Sequence, residues 1–143
     1  MDLVYKNILV AVDGSKASEI AFKKSVEIAK RNDAHLTLAH VIDSRTFATA
    51  EAYDRTLAER AEQYGNDILD EYIVKAEQAN VSVEKHIEYG SPKVKIAKDI
   101  AKSFESDLII CGATGMNAVE RFLIGSVSES ITRYATCDVL VVR

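Results

Sequence analysis

The sequence predicts a three-layer α/β domain, in which helices cover both faces of a parallel five-stranded sheet. Three observations carry this prediction. Short apolar runs, rich in β-branched residues, alternate with amphipathic helical stretches along the chain. The runs are apolar on both faces, as strands buried between two helical layers require. Each connection is long enough for the right-handed helical crossover that joins parallel neighbours. The 143 residues, 48% of them hydrophobic, suit a single domain over 1–143 with one substantial core.

The elements follow in order. The run "NILVAVD" (7–13) reads as the first strand, ending at Asp13-Gly14. Ala21, Phe22, Ser25, Val26 and Ala29 recur at helical spacing behind it, with Ser15 as N-cap. A second strand is expected over "HLTLAHVI" (35–42). A long helix, starting between 47 and 54, would bury Leu57, Ala61, Tyr64, Ile68, Leu69, Tyr72, Ile73 and Ala76. The alternating "VSVEKHIE" (81–88) is the third strand. Gly90, Ser91 and Pro92 then supply turn, cap and first helical position for a helix buried through Ile96, Ala97, Ile100, Ala101 and Phe104. "DLIICG" (107–112) is the fourth strand, 126–135 a final helix and "DVLVV" (138–142) the fifth strand.

Composition narrows the function. A formal net charge of −4 without a basic run argues against nucleic-acid coating, which needs a clustered basic face. No apolar stretch reaches the roughly 18 residues of a membrane span. The opening "MDLVYKNILVAVDGS" lacks the basic start of a secretory signal, and Cys111 and Cys137 read as buried free thiols. The expected compartment is the cytoplasm.

Ligands of such sheets bind outside the carboxyl ends of the strands, where the strand order reverses. Asp13-Gly14-Ser15, the stretch Val41–Asp43 and the segment from Gly112 onward fall at those ends. Three of the six glycines, Gly112, Gly115 and Gly125, stand close together there, with Ser126 and Ser128 just beyond. A phosphate needs N–H donors and close backbone approach, and glycine before a helix N-terminus offers both. The serine hydroxyls would add donors. A plain turn at Gly112 and a plain N-cap at Ser126 are the competing explanations. Neither GxxxxGK[ST] nor GxGxxG after the first strand occurs, which argues against a P-loop NTPase or a dinucleotide dehydrogenase.

The spacing Gly112-x2-Gly115-x9-Gly125-Ser126 resembles the ATP-binding signature of the universal stress protein family. "ILVAVDGS", "AHVI", "YGSP", "DLIICGATG" and "GSVSESITRYATCDVLVVR" are similar to family segments in the same order. The resemblance implies a Rossmann-like, adenine nucleotide alpha hydrolase-like fold. It also implies homodimerisation through the last strand, 138–142, an edge that is apolar on both faces and so invites pairing. The complete signature resembles the branch that binds ATP as a regulatory effector. By that resemblance Ala11, Val12 and Asp13 would flank the nucleotide, and Val41 would meet adenine through its backbone. Gly112 and Gly115 would line the ribose and phosphate path, and Gly125, Ser126, Val127 and Ser128 would hold the phosphates. Mg²⁺ or Mn²⁺ would accompany ATP, with Asp13 as its carboxylate. Residues 116–124 would cover the ligand. Thr114 stands where many members carry a basic residue or histidine, and Asp138 where many carry proline.

Other readings stay open at this stage. The fold could serve as a dimeric interaction module without nucleotide, or as a slow ATPase or phosphotransferase. Asp13 also occupies the place of a receiver-domain carboxylate, but the acidic pair and the distal lysine of that fold have no counterpart. His40 reads as a packed or rim histidine rather than a base, and Lys16 and Arg121 as solvated cations.

Overall fold

The computed structural model describes residues 4–43, 55–115 and 124–143. Five strands form one parallel sheet: β1 (Asn7–Ala11), β2 (His35–Ile42), β3 (Val83–Tyr89), β4 (Leu108–Gly112) and β5 (Asp138–Val142). Their spatial order is β3-β2-β1-β4-β5. The order reverses between β1 and β4, which pair from Ile8↔Leu108 to Val10↔Ile110. The switch point therefore opens beside the carboxyl ends of these two strands.

α1 (Lys16–Asn32) and α2 (Arg55–Gln78) cover one face. Ser15 caps α1 as expected, its hydroxyl accepting from the Ser18 N–H at 3.1 Å. Asp33 ends the helix in the left-handed conformation, with φ of 53°. Phe22 of α1 and Tyr72 of α2 stack at 4.3 Å between ring centroids, locking the two helices over the sheet.

The face of α2 is rotated from the sequence expectation. It buries Ala58, Gly65, Leu69, Tyr72 and Ala76, whereas Leu57 and Tyr64 are exposed. The apolar residues span more than one face, and Gly65, silent in a hydrophobicity pattern, is the one that fits against the sheet. The expected start of this helix, between 47 and 54, lies outside the described residues.

The other face is covered by α3 and by α4 (Ser126–Tyr134). α3 comprises Pro92–Val94, a π-helical turn at Lys95–Ile100 and a last turn at Ala101–Ser103. Ser91 holds the N-cap position, but its side chain makes no cap bond; its carbonyl instead accepts from the N–H groups of Val94 and Lys95. The π turn widens the helix while keeping Ile96, Ala97 and Ile100 buried.

Most of the central strands lies between the two layers. Leu9, Val10, Leu36, Leu38, Ile109 and Ile110 are fully buried, each side chain contributing about 1.5–3 kcal/mol by leaving water. β1 closes at Ala11, two residues earlier than the apolar run suggests, and that early end frees Val12 and Asp13 to turn.

Candidate functional site

The loop after β1 is a hydrogen-bonded turn. Asp13 Oδ1 accepts the Ser15 N–H at 2.8 Å, and the Asp13 N–H donates to Ser18 Oγ at 3.2 Å. Gly14 between them has φ of +84°, a conformation that side chains resist. The loop is thus bound to the first turn of α1, and one carboxylate oxygen of Asp13 is committed to it. The other, Oδ2, faces Gly115: a Cβ at that glycine would stand 3.3 Å away.

The glycines of the second loop answer to close approach rather than to unusual dihedrals, since Gly14 and Gly90 are the glycines with positive φ. At Gly112 a Cβ would lie 2.8 Å from the backbone carbon of Ala17, so this glycine lets α1 press onto β4. At Gly125 it would lie 3.4 Å from the Ala113 carbonyl oxygen. The Gly125 N–H donates to that same carbonyl at 2.7 Å. The two ends of the glycine signature, far apart in sequence, are therefore tied back to back.

α4 starts directly beyond this tie. Gly125 is its N-cap residue and accepts the first helical bond from the Glu129 N–H at 3.0 Å. Glycine has no side chain with which to cap, so the N–H groups of Ser126, Val127 and Ser128 have no internal acceptor among the described residues. Ser126 is exposed at this end. The Ser128 hydroxyl points the other way; it is buried and donates to the Gly112 carbonyl. The Ser128 hydroxyl is thus committed inward, and only its backbone N–H remains at the helix end.

Apolar neighbours complete the crevice. Ala11, Val41 and Val127 belong to one cluster, with Leu9, Ala39 and Ile96 beneath the α3–α4 layer, while Val12 is buried on the α1–α2 side. Cys111 lies under the site, and burial pushes its thiol pKa up to about 11, against a smaller opposing effect of the Ser128 bond. The structure thus brings Ala11, Asp13, Gly112, Gly115 and 125–128 to the switch point between β1 and β4, with Val41 at the end of the adjoining strand. Residues 116–123, expected to cover a ligand, lie outside the described residues.

His40, read from sequence as a packed or rim histidine, packs beside this loop: it donates from Nδ1 to the Val12 carbonyl at 2.7 Å, and Gly65, which the sequence reading did not single out, receives its ring. These contacts join distant segments and leave no local signal. Beside the same loop, a cleft of about 230 Å³ opens between Gly14, Glu19, Tyr64, Ile68 and Glu71. Lys75 pairs with Glu71 at 3.1 Å and Lys23 with Glu19 at 3.2 Å, so this cleft is not built for phosphate.

An α/β domain with a backbone-lined crevice at its switch point is the class that fold and site define. The Universal stress protein family model matches residues 4–143, and the chain belongs to that family. A Staphylococcus saprophyticus protein bearing the universal stress protein name is 53% identical over 142 residues, covering 99% of this chain and 85% of its own. The universal stress protein UspA from Lactobacillus plantarum superposes with a TM-score of 0.89 at 35% identity, covering 99% of this chain and all of its own. A universal stress protein solved in complex with cAMP gives a TM-score of 0.72 at 26% identity, covering 98% of each chain.

Proposed function

We propose that this universal stress protein binds ATP with Mg²⁺ or Mn²⁺ as a regulatory effector in the cytoplasm. The observation carrying this reading is the convergence of Asp13, Gly115 and the N-terminus of α4, which no side chain caps among the described residues, at the switch point. A helix N-terminus with three open N–H groups favours phosphate through donors and dipole together. Gly115 is exposed and without a side chain, so a phosphate chain can lie against its backbone. The apolar surface of Ala11, Val41 and Val127 suits a purine.

The donor set also suits the metal. No group of three or more His, Cys, Asp or Glu side chains among the described residues forms a metal cage. Mg²⁺ bound with a nucleotide needs none, since phosphates and water supply most ligands and one carboxylate suffices. Asp13 Oδ2 would be that carboxylate, and the ion would offset the phosphate charge beside a net acidic protein. No helix among the described residues is long and apolar enough to cross a membrane.

Among the described residues β5 is an edge strand pairing only with β4, and Val139, Leu140 and Val141 on it are half-buried. We read it as the contact of a symmetric homodimer. Slow hydrolysis is a lesser reading, because the described site offers no side chain placed as a base for water.

Calorimetry with Mg-ATP tests the function. Saturable binding is expected, with stability rising by about 2.7 kcal/mol at ligand 100 times Kd. Absence of both overturns it. The cAMP complex of a relative favours a second reading, a cyclic nucleotide at the same crevice. Titrations with cAMP and AMP beside ATP decide between them, since only ATP gains from a metal-bridged triphosphate.

A further inference from the structure

We infer that His40 is a positioning residue for the nucleotide loop and that Gly65 of α2 is the seat that holds it, a role resting on the nucleotide reading above. The β1–β2 ladder ends with the Val12 N–H donating to the Ala39 carbonyl at 2.8 Å. The Val12 carbonyl, immediately before Asp13, is taken by the imidazole of His40 at 2.7 Å. A carbonyl only accepts, so Nδ1 carries the proton and the tautomer is fixed by this bond. A side chain on β2 thereby holds the last backbone group before the turn that aims Asp13.

The ring keeps this position because α2 leaves room for it. A Cβ at Gly65 would stand 2.5 Å from His40 Cδ2, 3.0 Å from Nε2 and 3.0 Å from Ile87 Cδ1. The glycine therefore leaves room for the imidazole, and Ile87 of β3 lies against the same position. One helical position earlier, the Tyr64 hydroxyl lies over Gly14, where a Cβ would meet it at 2.5 Å. α2 thus reaches the Val12–Gly14 loop twice, once through His40 and once directly. Its placement sets where Asp13 Oδ2 points. A histidine merely filling space would need neither the bond to Val12 nor the glycine opposite it.

Four variants test this on the full chain: His40→Ala, His40→Asn, Gly65→Ala and the double His40→Ala/Gly65→Ala. Two readouts are taken, hydrogen exchange of the Ser15 amide, which reports the Asp13 turn, and the Kd for Mg-ATP. His40→Ala and Gly65→Ala should each speed exchange and weaken Mg-ATP by about tenfold, the worth of one hydrogen bond. His40→Asn, whose amide N–H can replace Nδ1–H, should stay within about threefold of wild type. In the double variant the ring is gone and the methyl meets only the flexible end of Ile87, so Gly65→Ala should add far less to His40→Ala than it costs alone. Wild-type exchange in both single variants, an additive double variant, or His40→Asn as impaired as His40→Ala would each overturn the inference. If the exchange pattern holds while the wild type shows no saturable Mg-ATP binding, the positioning role stands and the nucleotide reading falls.

Discussion

The Ser128 side chain, in the first turn of α4, donates its hydroxyl proton to the carbonyl of Gly112, the last residue of β4. Ser128 is 4% exposed, so the bond is closed to water. It fixes the helix N-terminus against the strand whose end forms the other half of the crevice. Ser128→Ala removes the donor and leaves a buried carbonyl unsatisfied. Chemical denaturation should show a loss of about 1–3 kcal/mol. Mg-ATP should weaken as well, because the open N–H groups of residues 126–128 lose their anchor. A variant as stable as wild type would show that water replaces the hydroxyl.

The glycines of the signature separate into two kinds. Gly112→Ala forces a methyl to 2.8 Å from the Ala17 backbone carbon and 2.9 Å from its oxygen, where neither atom can swing away. Thermal unfolding should report a cost of about 1–3 kcal/mol as α1 is pushed off β4. Among the described residues Gly115→Ala meets only Asp13 Oδ2 at 3.3 Å, the far end of a side chain, and its φ is not positive. Its stability should stay within about 0.5 kcal/mol of wild type. Its Mg-ATP affinity should fall, since the methyl stands between Asp13 and the proposed phosphate path. Equal destabilisation of both variants would contradict this division.

Alkaline pH should unfold the protein through two buried acids. Burial raises the Cys111 thiol to about 11 and the Tyr72 phenol to about 12. Both groups are neutral below their pKa, and the unfolded chain loses its protons first, near 9 and 10. The native state then binds more protons than the unfolded state, so stability falls as pH rises. Stability contributed by these groups is fully present below pH 9 and is lost progressively toward pH 12. Denaturant melts at pH 8 and pH 10.5 check the sign. Cys111→Ser should flatten the lower part of this decline, whatever its effect at neutral pH.

Much of the architecture was legible because it follows from local periodicity. The strands β2 and β5 match their apolar runs residue for residue, and Ser15 caps α1 from its place in the sequence alone. The grouping of Gly112, Gly115 and Gly125 at one site was also legible, since topology places β4 at the switch point. What periodicity does not carry is the identity of a steric partner. Gly112 read as a ligand contact, and the structure shows it admitting Ala17. Ser128 read as a hydroxyl donor to phosphate, but that hydroxyl is turned inward to Gly112. Gly65 of α2 lies against His40 of β2, a residue distant in sequence. Each of these depends on a contact between segments that the sequence keeps apart.

The proposed homodimer through β5 has a measurable consequence. Among the described residues β5 pairs with β4, from Leu108↔Asp138 to Gly112↔Val142, and its outer backbone edge is the surface proposed to meet a second copy. Sedimentation at tens of micromolar should give a dimer. Leu140→Pro should shift the mass toward monomer, because proline removes an N–H and resists strand pairing. Leu140→Val, as a control of similar shape, should leave the dimer intact. A wild-type monomer at this concentration removes the proposal.

Asp13→Asn separates the two duties of that side chain. The turn needs an acceptor for the Ser15 N–H, now Asp13 Oδ1 at 2.8 Å, and an asparagine carbonyl oxygen can take it over. Thermal stability without ligand should therefore change by less than about 1 kcal/mol. The metal duty needs charge, which asparagine lacks. If Asp13 Oδ2 is the carboxylate that meets the nucleotide-bound ion, wild type should bind ATP more tightly with Mg²⁺ than with EDTA, and the variant should lose that difference. The metal-free affinity should stay equal or rise, because a negative charge beside the phosphates has gone. Calorimetric titrations of both proteins, with and without Mg²⁺, measure all four affinities. An undiminished Mg²⁺ effect in Asp13→Asn would place the ion on the phosphates and water alone and leave Asp13 only its turn.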